Sequence, residues 1–351
     1  MKVSDLAQLS KIASRISNQG SLTSLYRAIE LGPESIRVCS EFGNMELSIE
    51  PTGLTKEVLL DCAAVQTVAN SLPLSSEISF TEKDNKVSWK CGEDKGHWST
   101  VVTEHSIPRV DHTNFPWTPP SNLGDALNLA TCACQAAAVS IGLYGISIIT
   151  DGDKLRLLSS NTVSLAESVI DKGTFPVERL TLRPPVPSII AALLSVCPSA
   201  QLDVTDKGLF IGGPGLVAHL PISNPLDMDL KKVADKFRTA TQVAKVNMLA
   251  IRQFINRARG LSDKHTEFTI SLGVKEGKIG LMHSGISSST ERFLVADGAD
   301  HSLSYESEPF PAAMILIALS FVEDVVFDYM KDKQIVMRGT NPQFNYVIGG
   351  A

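Results

Sequence analysis

Apolar residues recur at helical spacing in three stretches whose starts lie about 120 residues apart, one domain length. Leu6, Leu9, Ile12, Ala13 and Ile16 follow i, i+3, i+4 spacing, which predicts a helix over Val3–Ser17 with one buried face. Leu123, Ala126, Leu127 and Ala130 predict a second over Asn122–Ala136. Val246, Leu249, Ala250, Phe254 and Ala258 predict a third over Val243–Arg259. Each is followed by two strand-like runs with turn chemistry between them. Tyr26–Leu31 leads through Gly32-Pro33 to Ser35–Ser40. Tyr144–Ile149 leads through Asp151-Gly152 to Lys154–Ser159, and Glu267–Val274 leads through Glu276-Gly277 to Lys278–Met282. Glycine beside Asp, Glu or Pro suits a hairpin, because it takes positive φ without steric cost. Ser35–Cys39 and Lys154–Leu158 alternate polar and apolar residues, as half-buried strands do.

A second helix-like stretch follows in each third: Lys56–Ser71, Pro187–Val196 and Pro311–Phe321. Two of them open on proline, whose missing N–H costs nothing in a first helical turn. Each precedes a strand-turn-strand: Glu77–Phe80 with Lys86–Cys91, Gln201–Thr205 with Leu209–Gly212, and Val325–Tyr329 with Gln334–Arg338. The Pro-rich run Asn114–Pro120 and the polar run Asp227–Lys236 read as linkers. The pattern is one α+β unit used three times, two helices packed on antiparallel sheet in each, with domains at 1–118, 119–236 and 237–351.

Composition narrows the class. Hydrophobic residues make up 43% and charged residues 20%, ordinary values for a folded globular chain. The longest apolar stretch, Phe310–Val322, is too short for the roughly 20 residues of a membrane span. MKVSDLAQLSKIASR lacks an apolar h-region, so no signal peptide is expected. Six cysteines without paired spacing fit a reduced, cytoplasmic protein.

The net charge of −6 argues against a generally basic surface that binds nucleic acid. Its distribution is uneven: 11 basic and 15 acidic residues in 1–118, 9 and 11 in 119–236, and 12 and 12 in 237–351. Lys236 to Ser262 contains no acid but holds Lys245, Arg252, Arg257 and Arg259. Lys245, Arg252 and Arg259 recur at i, i+7 and i+14, one face of the predicted helix. Leu6 to Ile29 is also free of acids and carries Lys11, Arg15 and Arg27. The middle third differs: its first helix has Asp125 and no basic residue, leaving Arg179 and Arg183 ahead of the second helix.

Particular runs resemble the bacterial β sliding clamp family, DNA polymerase processivity factors. Leu72-Pro73 closes the second helix as in that family. Leu143-Tyr144-Gly145-Ile146 and the run Leu157–Ala166 resemble its leucine-x-glycine and threonine-aspartate-glycine-x-x-leucine-alanine runs. Phe254, Arg257, Leu261 and Ser262 keep the spacing of its third-domain first helix. Glu276-Gly277-Lys278-Ile279 resembles its hairpin, and Tyr346-Val347-Ile348 its C-terminal strand. The chain departs from the family at Ser140-Ile141-Gly142, which lacks basic and aromatic residues, and at its last residues, Gly349-Gly350-Ala351. The second departure and the low identity fit a divergent or phage-encoded clamp, and the first argues against DNA contact through the middle domain.

The resemblance implies a head-to-tail homodimer closed into a ring around duplex DNA, opened by an ATP-dependent clamp loader and tethering the replicative polymerase. It implies DNA contacts from Lys11, Arg15, Lys245, Arg252, Arg257 and Arg259, and a pocket for partner peptides formed by Leu143, Ser160, Val163, Leu165 and Val347. It places Trp98 and Leu261 at the dimer interface.

Catalytic chemistry is not visible. Cys132-x-Cys134 on a helix would point to two different faces, so metal ligation is not expected. Gly212-Gly213-Pro214-Gly215 lacks the Lys-Ser/Thr of a phosphate loop and reads as a turn. Glu323-Asp324 has no base or metal ligand near it in sequence, and the seven histidines are scattered. No catalytic residue, cofactor or metal is expected. Two alternatives to the clamp stay open: a clamp-fold adaptor that does not encircle DNA, and an enzyme on an unrelated α+β repeat.

Overall fold

The computed structural model describes residues 1–17, 20–103, 105–134, 144–161, 164–175, 178–226, 228–237, 241–246, 248–261, 268–275, 278–284, 289–295, 304–306, 310–312, 325–329, 334–339 and 343–349. The chain packs as two compact units. The first holds Met1–Gly124, Gly173–Pro176 and Pro185–Ile222; the second holds Asp125–Lys172, Val177–Pro184 and Ser223–Ala351. Residues 119–236 therefore contribute to both.

The first unit opens with α1 (Val3–Ile16), whose predicted stripe is buried. A short α2 (Ser24–Arg27) takes the start of the first predicted strand, which shrinks to β1 (Ala28–Leu31). β2 (Ser35–Ser40) and β3 (Gly43–Ser48) follow as a hairpin. The helix expected over Lys56–Ser71 divides into β4 (Val58–Asp61) and α3 (Cys62–Ser71). The division falls at Asp61, whose Oδ1 accepts the Ala64 N–H at 2.8 Å and caps α3. The hairpin of β5 (Ser79–Lys83) and β6 (Lys86–Cys91) turns on Asp84 and Asn85, at φ 51° and 57°, the left-handed pair of a type I′ turn. β7 (Asp94–Ser99) completes that three-stranded sheet as an edge.

Next come α4 (Leu123–Thr131), β8 (Ile146–Asp151), β9 (Lys154–Ser160), β10 (Ser164–Asp171), β11 (Arg179–Leu182), α5 (Val186–Val196), β12 (Gln201–Thr205), β13 (Gly208–Gly213) and β14 (Leu216–Leu220). A seven-stranded antiparallel sheet, ordered β12-β13-β14-β3-β2-β1-β4, joins strands from the first and middle thirds. Its seam is β14 on β3, with Leu216 opposite Leu47 and His219 opposite Asn44. The approach is close at Gly43, where a Cβ would lie 2.3 Å from the His219 carbonyl oxygen.

The second unit continues with α6 (Leu230–Phe237), β15 (Thr241–Val246), α7 (Met248–Leu261), β16 (Thr269–Lys275), β17 (Lys278–Ser284), β18 (Ser289–Val295), β19 (Ser304–Glu306), β20 (Phe310–Pro311), β21 (Val325–Tyr329), β22 (Gln334–Gly339) and β23 (Gln343–Gly349). An eight-stranded sheet, ordered β11-β8-β9-β10-β23-β22-β21-β15, joins the middle and last thirds through β10 on β23. A five-stranded sheet holds β16–β20 with β18 at its edge.

Three further expectations about the elements are revised. The helix expected from Val243 begins at Met248, because 241–246 pairs with β21 as a strand. The run Asp227–Lys236 is not a plain linker; it contains most of α6. Cys132 and Cys134 lie just beyond α4, where the Cys132 and Cys134 N–H groups bond the Leu129 and Thr131 carbonyls three and three residues back. All six thiols are free and buried. Burial pushes Cys39 and Cys62 up to about 11. Most of the helix expected over Pro311–Phe321, and Glu323-Asp324, lie outside the described residues.

The Pro-rich linker is docked rather than loose. Trp117 exchanges backbone hydrogen bonds with Leu202, at 3.1 and 2.7 Å. His112 stacks on Phe210 with centroids 4.1 Å apart, and its Nε2 lies 2.9 Å from Asp203 Oδ2. The Phe115 ring covers Gly212, where an added Cβ would fall 2.2 Å from a ring carbon. The glycine-rich run thus ends β13 and seats an aromatic ring. Gly212→Val should displace Phe115 and lower stability by about 1–3 kcal/mol, read as a shifted denaturation midpoint. An unchanged midpoint would show that the linker docks without that contact.

Candidate functional site

Three of the five expected pocket residues share one register row. Ser160 on β9 lies opposite Leu165 on β10, and Leu165 lies opposite Val347 on β23. Leu143 and Val163 lie outside the described residues. Ser160 and Leu165 are both buried. The turn between β9 and β10 is tied by Asn161, whose Oδ1 accepts the Ser164 N–H at 2.7 Å and the Ser164 hydroxyl at 3.0 Å. Ser160 Oγ donates to the Ser164 carbonyl at 2.9 Å.

α6 covers this face of the sheet, which sequence reading missed. Leu226, Leu230 and Ala234 form one apolar cluster with Leu158 and Leu165, and Val233 and Ile149 pack against it. The signal lay in the spacing of Leu230, Val233 and Ala234, masked by the charges between them. Asp229 caps the helix by accepting the Lys232 N–H at 3.2 Å.

Beside that cluster sits a buried ion network. Arg156, only 1% exposed, donates from Nε to Glu167 Oε1 at 2.6 Å and from Nη1 to Asp235 Oδ1 at 2.7 Å. Its Nη1 also reaches Asp151 Oδ2 at 3.3 Å, and Lys231 Nζ donates to Asp151 Oδ1 at 2.9 Å. A buried carboxylate such as Glu167 needs such a partner. The Lys231 hydrogen bond holds the Asp151 carboxyl below its usual range, against a smaller opposing effect of burial.

The basic residues sort by element. Lys11 and Arg15 are exposed on α1, one turn apart, and Arg15 Nη1 donates to the Ser188 carbonyl at 3.0 Å. Arg252, Arg257 and Arg259 are exposed on α7. Arg252 and Arg259, seven apart, share one flank, while Arg257 lies on the other. Lys245 is corrected: it lies on β15 opposite Val326, so it does not extend that helical row. In α4, Asp125 is the exposed side chain and the rest is buried or half-buried. Arg179 is exposed and Arg183 half-buried.

Trp98 lies on β7 as expected, but its ring is only 7% exposed and packs 6.0 Å from Phe80 and 6.1 Å from Trp89. It is a core residue of its own unit. Leu261 is the last residue of α7. Among the described residues, no group of three or more His, Cys, Asp or Glu is placed to hold a metal ion, and no helix is long and apolar enough to cross a membrane.

No family model matches the sequence, and no curated protein matches it. Solved structures do. A sliding clamp (DNA polymerase III subunit beta) from Bartonella birtlesii, bound to griselimycin, superposes with a TM-score of 0.80 at 15% identity, covering 100% of this chain and 98% of that one. The beta subunit of a DNA polymerase from Streptococcus pyogenes gives 0.77 at 12% identity over 100% and 98%. A Helicobacter pylori beta clamp bound to a DNA ligase peptide gives 0.75 at 13% over 99% and 98%. The chain is α+β and has the fold of the bacterial β sliding clamps from end to end.

The sign of the Asp151 shift sets a pH dependence. A carboxyl depressed in the folded state adds stability above its unfolded pKa, and that stability is lost as pH falls through the lower, folded value. Thermal unfolding of Asp151→Asn should therefore show a weaker acid dependence than wild type below the usual aspartate range. Identical acid profiles would remove Asp151 from the network.

Proposed function

We propose that this protein is a divergent sliding clamp, with no catalytic activity of its own, that encircles duplex DNA and tethers the replicative polymerase. The observation that carries this reading is the likeness to clamp structures along the whole chain rather than over one domain. On this reading the repeat defines three clamp domains, 1–118, 119–236 and 237–351, and two protomers close head to tail in the cytoplasm of a bacterium or of a phage's host. An ATP-dependent loader opens one joint.

The joint is proposed to form between sheet edges, β7 of one protomer and β18 of the next, since an unpaired edge is a template for another strand. Trp98 supports β7 from within, and Leu261 ends the helix of the other partner's domain. Phe293, 51% exposed on β18, is an exposed apolar side chain on that edge strand. Phe293→Glu should shift a micromolar dimer towards monomer in native mass spectrometry. A wild type that is monomeric at every concentration would overturn the ring.

Lys11 and Arg15 on α1 and Arg252, Arg257 and Arg259 on α7 are proposed to make sequence-independent phosphate contacts, with Lys245 three residues ahead of α7. Direct affinity for short linear duplex should be weak, on the order of 10⁻⁴–10⁻⁶ M, and should fall steeply with salt. Loaded protein should persist on a closed circle and leave once the circle is cut. Reversing Lys11, Arg15, Arg252 and Arg259 to Glu should impair loading and leave the dimer intact. If cutting released nothing, the adaptor reading would replace this one; α4, with Asp125 as its exposed side chain and no basic residue, is the feature that favours it.

Partner peptides are proposed to dock at the row Ser160–Leu165–Val347, with Leu143 and Val163 beside it. DNA ligase peptide and griselimycin, each bound to a clamp of the same fold, indicate the class of occupant.

A further inference from the structure

We propose that Arg156 is a positioning residue for partner docking: through Asp235 and Asp151 it fixes α6 as the wall beside Leu165. This inference rests on the docking reading above.

α6 has eight residues, and a helix that short is marginal on its own in water. Its placement must come from what it touches. Two i, i+4 pairs lie on adjacent flanks. Leu230 and Ala234 pack on Leu158 and Leu165. Lys231 and Asp235 reach the ion network, Lys231 to Asp151 and Asp235 to Arg156. Apolar contact is non-directional and would hold α6 down without setting its tilt or slide. The two ion pairs supply direction, because their signs are opposite and their partners stand on different strands: Asp151 ends β8 and Arg156 lies in β9. Exchanging the ends of α6 would place like charges together.

Arginine suits the position. Its planar fork donates in several directions at once, and here it spans Glu167 on β10, Asp235 on α6 and Asp151 on β8. Arg156, Leu158 and Ser160 alternate along one face of β9, so the network, the apolar cluster and the docking row follow one another on a single surface. A shift of α6 at the Arg156 end would therefore alter the wall at the Leu165 end.

The test uses variants at part-exposed positions, so that the fold survives. Lys231→Ala with Asp235→Ala removes both directional pairs and leaves Arg156–Glu167 in place. Asp235→Glu is the conservative variant, and Lys232→Gln is the control at an exposed site of the same helix. Two quantities are read on the full-length protein: amide hydrogen exchange, and affinity for griselimycin by calorimetry. The double variant should exchange its α6 amides tenfold faster or more, with β9 and β10 still protected, and should bind griselimycin at least tenfold more weakly. Asp235→Glu and Lys232→Gln should stay near wild type. Faster exchange with undiminished affinity would overturn the positioning role alone, as would unchanged exchange in the double variant. A folded wild type that does not bind griselimycin would overturn the docking reading, and this inference with it.

Discussion

Strand pairing across the repeat boundaries is the constraint on which the rest of the structure depends. Each third of the chain makes a sheet that is incomplete by itself. β3 finds its partner in β14, and β10 finds its partner in β23. A strand edge left in water exposes a row of unpaired N–H and C=O groups, so a repeat cut at residue 118 or 236 would carry an open edge. The compact units follow the sheets and not the repeat, which is why the middle third divides between them. The helices then pack where the sheets allow. α1 lies against α3 and α5 in the first unit, and α6 lies on β9 in the second.

Charge is used sparingly inside this framework. Arg37 and Glu30 form a buried pair at 2.7 Å in the first unit, and Arg156 and Glu167 one at 2.6 Å in the second. Burial drives the Glu30 carboxyl above its usual range even with Arg37 beside it. Such pairs are weak evidence for stability, since desolvation offsets much of the attraction, but breaking one side leaves a buried charge. Both arginines sit in the middle of strands that neighbour a seam, β2 beside β3 and β9 beside β10.

Much of the architecture was legible because the signals were local. The stripe of α1 and the Pro-led start of α5 correspond to the observed helices within a residue or two. The misses share a cause. Lys56–Ser71 and Val243–Arg259 each hold strand residues ahead of a helix, and an apolar strand end reads as one more helical turn. Asp61 at the α3 N-cap was the residue that could have separated them. β3, β10 and β14 each pair with the strand just before them, but their second partners lie far away in sequence, which periodicity does not register. Of the candidate site, the row through Ser160, Leu165 and Val347 was legible. α6 hid behind Lys231, Lys232 and Asp235, whose charges made a docked helix look like a solvated linker. Trp98 was placed on the right strand, but its burial depends on Phe80 and Trp89 from the neighbouring strands.

The β3–β14 seam also sets a timetable for synthesis. β3 ends at Ser48 and β14 begins at Leu216, and β10 waits a similar length for β23. At about 5–20 residues per second, ~170 residues take roughly 10–30 s to emerge. Through that interval each nascent chain carries an exposed edge, first β3 and later β10, on neighbouring ribosomes translating the same message. Asn44 and Glu46 on β3 alternate with its buried residues and put polar and charged groups on that waiting edge strand. Polar and charged side chains on an edge strand are a general means of disfavouring its pairing with another copy.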